Sequence, residues 1–276
     1  VRRVAGQIAS FGMGEGLARG LNWGIMAMLP FMLSAEEYGR VGLIVSLQVF
    51  AATILRVGLD RAILRFYQEE RFSATLIPSV LAIWASLAWI PPAASVLLHF
   101  LGWKIIFNIP TLPHIFILSL VIEVFNLNFF CIAIGRSRRN LSDFLRFRLG
   151  YVTLKVVGVL IMVFVLGNSF GYLIGITIPA MVMLMLIVPF LKRESTGTFH
   201  FAPTQELFIF GWPFVFHMMN ASIMSHASRF FLETYTSTKD VGLFTFAYTL
   251  GSALFVIYAV LATYFEPTIY QHADDS

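Results

Sequence analysis

Long apolar stretches separated by short polar connections dominate the chain, and their lengths predict membrane-spanning helices rather than strands or soluble helices. Eight spans can be drawn, at roughly 7–33, 40–58, 76–101, 113–135, 149–167, 170–191, 207–235 and 241–265. Pro91-Pro92 interrupts the third, while Pro30 and Pro213 fall within the first and seventh as expected kinks. Every hydrophilic segment is short, so no soluble domain is expected.

Composition sharpens this pattern. Of 276 residues 58% are hydrophobic and 12% charged, against about 25% charged in soluble domains. That is too little charge to clothe a water-facing surface. The N-terminal stretch, broken by glycines, Glu15 and Arg19, reads as a retained helix and not as a cleavable leader. The single cysteine, Cys131, lies in an apolar run and reads as a small buried residue.

Charge placement gives an orientation. The net charge of +4 comes from basic blocks between apolar runs, which argues for topology and against nucleic acid. With the N-terminus in the cytoplasm, Arg2, Arg3, Arg56, Arg61, Arg65, Arg71, Arg136, Arg138, Arg139, Arg146, Arg148, Lys192 and Arg193 fall on the inner side. Only Arg40, Lys104 and Lys239 fall outside. Both ends of the sequence are therefore expected on the cytoplasmic face.

A repeat underlies the organisation. Ser34-Ala35-Glu36-Glu37-Tyr38-Gly39 and Ser237-Thr238-Lys239-Asp240-Val241-Gly242 share the pattern Ser-x-x-acid-x-Gly, 203 residues apart. The same offset aligns Tyr67-Gln68 with Tyr270-Gln271. Six spans separate the copies, so they run in the same direction, as in transporters built from parallel repeats. The expected organisation is an N-terminal lobe of six helices over 1–193, a cytoplasmic linker over 194–206, and the first two helices of a second lobe over 207–276. On that reading the chain is a fragment of a protein of 12 or more spans.

Ionisable groups at membrane depth cost at least about 2.5–3.5 kcal/mol each, so they normally face a cavity or a partner. Glu15, Arg19 and Asn22 fall on one face of the first span, and Ser222, His226, Arg229 and Glu233 on one face of the seventh. The repeat offset places these stripes on nearly equivalent faces, so both are expected to line one central cavity. The simpler reading is that Glu15–Arg19 and Arg229–Glu233 are i,i+4 pairs neutralising one another within a helix. Arg229 with His226 would suit an anionic group such as a diphosphate. Glu123 and Asn126, one turn apart, either bind a coupling ion or close a helix contact. Lys155 is expected to snorkel to the inner face, and the Arg136–Arg148 cluster to act as a topological anchor. There is no Gly-rich phosphate loop, nucleophile elbow or metal-ligand spacing, so neither enzyme chemistry nor a cofactor is expected.

Three stretches carry a family resemblance: Phe210-Gly211-Trp212-Pro213, Ser228-Arg229-Phe230-Phe231-Leu232 and Lys239-Asp240-Val241-Gly242-Leu243-Phe244. With Glu36-Glu37-Tyr38-Gly39 and Gly58-Leu59-Asp60-Arg61-Ala62, they resemble O-antigen and exopolysaccharide flippases of the multidrug/oligosaccharidyl-lipid/polysaccharide (MOP) exporter superfamily. The family commonly carries Asp-Arg where this chain has Ser228-Arg229. The resemblance implies an all-α integral membrane bundle of 12–14 helices in two lobes, eight of them present here, working by alternating access in a bacterial inner membrane. It implies a polyprenyl-diphosphate-linked oligosaccharide as substrate and membrane lipids as surroundings. A polysaccharide polymerase and a chain-length regulator would be possible partners. Alternatives are a multidrug or cation exporter of the related branch, a peptidoglycan-precursor flippase, and a non-transport assembly protein or truncated relic.

Overall fold

The structure is a computed structural model that describes residues 2–72, 74–195, 197 and 201–254, with side chains described from residue 10 onward except 201–203. The chain is an all-α membrane protein. Its helices are α1 (Arg2–Met28), α2 (Ala35–Arg56), α3 (Leu59–Phe66), α4 (Leu76–Leu87), α5 (Ile90–Phe100), α6 (Phe116–Ser137), α7 (Leu141–Leu166), α8 (Ser169–Glu194) and α9 (Phe201–Tyr235). A further helix, α10, runs over 238–254. The strands β1 (Ile105–Ile106) and β2 (Ile109–Pro110) form a small hairpin between α5 and α6 that the hydropathy pattern did not predict.

Among the described residues six helical stretches are long and apolar enough to cross a membrane: Ala35–Arg56, Leu76–Phe100, Thr111–Ser137, Leu141–Leu166, Ser169–Glu194 and Thr204–Tyr235. The first expected span, α1, is helical but is not one of the six; Arg2, Arg3, Glu15 and Arg19 interrupt it. The rest of the eighth expected span, and the second copy of Tyr-Gln at 270–271, lie outside the described residues.

Local chemistry sets the boundaries. Pro30 ends the first helix instead of kinking it: α1 stops at Met28 and a short 3₁₀ turn, Leu29–Phe31, follows. Pro91 and Pro92 fall in the first turn of α5, where their missing N–H groups cost nothing, so the third span is two helices meeting at 88–89. Ser34 caps α2 by accepting from the Glu37 amide, and Asn140 and Asn168 cap α7 and α8 in the same way. The Asn140 cap starts α7 at Leu141, eight residues before the expected boundary, so Arg146 and Arg148 are helical.

The most heavily buried span is α6, which packs on α2, α3, α5, α7 and α8. Its neighbours α7 and α8 form a tight hairpin in which a Cβ on Gly158 would meet Gly175 O at 2.6 Å, the close backbone approach that small residues permit inside membranes. Gly58, at φ +68°, turns the chain from α2 into α3, and a Cβ there would lie 2.2 Å from Gly211 O on α9. That turn aims the amphipathic α3 across the bundle end where α2 and α6 finish and α7 begins.

The two Ser-x-x-acid-x-Gly copies face each other at the opposite end. A Cβ on Gly39 would sit 2.0 Å from Thr238 O, and one on Gly242 would sit 1.9 Å from Ala35 O. Ser237 accepts from the Asp240 amide as Ser34 does from that of Glu37. The hairpin tip adds Asn108, whose Nδ2 donates to Thr238 Oγ1 at 2.6 Å.

Candidate functional site

The first turn of α3, the last turns of α2 and α6, and the facing parts of α1, α7 and α9 enclose a cavity of about 940 Å³. It is lined by Glu15, Arg19, Val49, Arg56, Asp60, Arg61, Leu64, Phe129, Ile132, Ala133, Arg136, Arg148, Met218 and His226. Five arginines against two carboxylates leave the wall strongly cationic.

Glu15 is the hub of that wall. Arg148 grips it with two hydrogen bonds, Nη2 to Oε1 at 2.8 Å and Nε to Oε2 at 2.9 Å. Arg136 Nη2 reaches Oε2 at 3.1 Å, and Arg19 Nε reaches Oε1 at 3.1 Å. The carboxylate therefore does more than pair with Arg19 inside its own helix: it joins α1 to α6 and α7. On the other side Arg56 is buried, stacks 3.9 Å over the Phe129 ring, donates to Asn126 Oδ1 at 3.4 Å and lies 3.8 Å from Asp60. A buried guanidinium held by a ring, an amide and a carboxylate at that distance keeps much of its positive field free for the cavity.

The sequence-predicted residues separate into groups. Glu15, Arg19 and His226 line the cavity; Asn22, Ser222, Arg229 and Glu233 do not belong to its lining. Asn22 sits deeper along the α1–α7 seam, where it accepts from Lys155 Nζ at 3.0 Å. Lys155 thus points to a partner in the bundle instead of snorkelling. Ser222 is buried and donates to Met218 O.

Arg229 lies behind His226, 5% exposed. It donates to Thr245 Oγ1 at 3.1 Å and Ser225 O at 2.8 Å, and sits 5.0 Å over the Tyr248 ring. Its Nη1 and Ser46 Oγ both lie 3.2 Å from His226 Nδ1, which accepts because guanidinium can only donate. Glu233 does not pair with Arg229. It accepts from Thr238 Oγ1 at 2.9 Å, beside a second pocket formed with Glu36, Thr236, Ser237, Thr238 and Lys239. The two polar stripes are therefore not one continuous lining.

Glu123 and Asn126 sit in the α6 core. Trp84 Nε1 donates to Glu123 Oε2 at 2.8 Å, while Glu123 Oε1 and Asn126 Nδ2 are buried without a hydrogen-bond partner among the described residues. Outside the spans Arg71 bridges Glu69 and Glu206, and the hydrogen bond from Arg71 holds the Glu69 carboxyl below the ordinary carboxylate range.

Residues 4–271 match the family profile described as polysaccharide biosynthesis protein. The chain belongs to the polysaccharide biosynthesis protein family. No curated protein matches it in sequence. Among solved structures, a chain named protein A superposes with a TM-score of 0.72 at 17% identity, covering 98% of this family member and 66% of that chain. The MATE multidrug transporter DinF-BH in complex with R6G superposes with a TM-score of 0.68, also at 17% identity, covering 94% and 62%. The chain thus shares its fold with both of these structures. This family member spans less than two thirds of the length of either structure.

Sequence reasoning assigned Arg56, Arg61, Arg136 and Arg148 of this family member to topology and left Asp60 without a role. The signal that could have placed them was spacing: Arg56 and Asp60 are four apart, and Arg148 lies seven residues before Lys155 on one α7 face.

Proposed function

We propose that this polysaccharide biosynthesis protein moves a polyprenyl-diphosphate-linked oligosaccharide from the cytoplasmic to the outer leaflet of a bacterial inner membrane by alternating access, acting as a transporter and not as an enzyme. The observation that carries the reading is the cavity wall, where Arg19, Arg56, Arg61, Arg136 and Arg148 surround two carboxylates. Such a wall attracts a diphosphate, which guanidinium groups bind bidentately. It repels the lipophilic cations that a drug exporter must admit.

In this reading the cavity is at the cytoplasmic end, where the positive-inside rule puts these arginines. The N-terminus is cytoplasmic too, and residues 1–193 act as one lobe against a second that begins at 207. The paired glycines at Gly39 and Gly242 close the outer end. Arg229 supplies positive field from behind the wall and holds His226, which lines it; Asn22, Ser222 and Glu233 belong to the lobe contacts, and Glu123 with Asn126 is the candidate ion-coupling pair. The finer assignment, to O-antigen or exopolysaccharide repeat units working beside a polymerase and a chain-length regulator, follows the family resemblance.

The test is translocation of a lipid-linked oligosaccharide into the outer leaflet of reconstituted vesicles, read by its accessibility to an external glycosidase. Wild-type protein is expected to expose the sugar. Arg56→Ala and Arg148→Ala are expected to reduce the rate at least tenfold, since each removes a charge-assisted contact of about 1.5–3 kcal/mol. Expulsion of a cationic dye together with no sugar exposure would overturn the reading in favour of a multidrug exporter.

A further inference from the structure

The Glu15 cluster has a geometry that ion-pair neutralisation alone does not require. Each oxygen of the carboxylate accepts two guanidinium donors: Oε1 from Arg19 and Arg148, Oε2 from Arg136 and Arg148. Three guanidinium groups converging on one small anion is how arginines surround a phosphate. A single carboxylate leaves two positive charges of the three uncompensated. All four side chains keep access to the cavity, with exposures of 23% for Glu15, 16% for Arg148, 39% for Arg136 and 54% for Arg19.

The local sequence supports the same picture. Glu15 is flanked by Gly14 and Gly16 on α1. A Cβ on Gly14 would lie 2.5 Å from Leu145 Cδ2, so the absence of a side chain lets α1 press onto α7 at the level of Arg148. The helix is shaped to deliver one carboxylate into the arginine cluster.

We propose that Glu15 is a resident anion of this site. Between ligands its carboxylate holds Arg19, Arg136 and Arg148 where they will meet the oxygens of a phosphate, and it gives them up when a phosphate-bearing ligand enters. The inference rests on the proposed function only for the identity of that ligand; the exchange itself concerns any phosphate or diphosphate group, whether from a lipid-linked sugar or from a phospholipid headgroup. Two consequences follow. The arginines never splay apart between cycles, because one anion replaces another. The ligand also competes with a tethered carboxylate, which lowers apparent affinity by the fraction of time the site is self-occupied and so aids release. A site free about one tenth of the time binds about tenfold more weakly than its arginines alone would.

The experiment uses the full chain in nanodiscs of zwitterionic lipid, with inorganic pyrophosphate as the probe and calorimetry as the readout. Glu15→Gln keeps the shape and removes the charge, and it is expected to bind pyrophosphate about tenfold tighter than wild type. Glu15→Asp, which withdraws the carboxylate by one methylene, should fall between them and covers the case in which the glutamine variant does not fold. Weaker or unchanged pyrophosphate binding in both variants would overturn the proposal and make Glu15 a positioning residue for the arginines. No pyrophosphate binding to any form would overturn it as well.

A second arm repeats the titration with phosphatidylglycerol in the nanodisc. Competition by that lipid, stronger in Glu15→Gln, assigns the site to bulk headgroups; the exchange role then stands while the lipid-linked-sugar reading loses its anion site. Tighter pyrophosphate binding in the variant alongside absent sugar translocation separates the two claims in the same way.

Discussion

Replacing Gly39 with alanine puts a methyl group 2.0 Å from Thr238 O and 3.0 Å from Gly242 N, all backbone atoms that no rotamer change can move aside. Ordinary contact begins at 3.4 Å, so α2 and α10 must part by about 1.4 Å at this point. Separation on that scale forfeits a large share of the local dispersion contacts, and overpacking of this kind costs about 1–3 kcal/mol. If the contact exists only while this end of the bundle is closed, the whole cost falls on the closed state and shifts the open–closed equilibrium by about 5–150-fold. Gly242→Ala should act alike, because its Cβ would meet Ala35 O at 1.9 Å. The double variant should cost less than the sum, since both glycines serve one contact.

The assay places a cysteine at Val241, which is buried beside Gly242, and follows its labelling by a membrane-impermeant thiol reagent. The native Cys131 is buried and gives a low background. Gly39→Ala is expected to raise labelling several-fold or more at an unchanged melting temperature. Unchanged labelling would refute the gating argument. A lowered melting temperature with no gain in labelling would refute it too, because the contact would then support the fold in every state.

Other expectations follow from single contacts. Arg229→Ala removes a buried cation from behind His226 and is expected to abolish translocation at normal protein levels; unimpaired sugar exposure would contradict this. Trp84→Phe removes the indole donor to buried Glu123 Oε2 and should lower stability by about 1–3 kcal/mol, measured by thermal unfolding in detergent. Ser34→Ala removes the α2 cap and should cost about 1 kcal/mol in the same measurement. Asn108→Ala frees the hairpin from Thr238 and should raise deuterium exchange at 105–110 with little change elsewhere.

The helical bundle was legible because apolar length is nearly sufficient to reveal a membrane helix. Its breaks were less so. Pro30 looks like a kink in a hydropathy trace, yet its missing N–H ended α1 at Met28. The Glu15–Arg19 face of α1 was readable because charges are conspicuous in an apolar run. Arg136 and Arg148 were not, since a window average assigns any cationic stretch to a loop. The Asn140 cap that extends α7 back past Arg148 is a local signal too weak to outweigh that average. The repeated glycines were visible as landmarks, but their opposition across the bundle is a tertiary fact that spacing cannot give. Glu233 misled for a related reason: an i,i+4 arginine is always near, and the pairing was lost to Thr238 beyond the helix end.

The link from Asn108 to Thr238 joins residues 130 apart in sequence, and this separation bears on how the protein is made. At roughly 5–20 residues per second of synthesis, the hairpin waits about 7–26 s after its own emergence before its partner exists. The glycine face of α2 waits longer still for α10. During that interval the first helices can settle against α6, but the end that carries Gly39 stays unlatched. A nascent chain arrested before residue 238 is therefore a distinct intermediate with this seam exposed, and the arrival of Thr238 and Gly242 is what latches it.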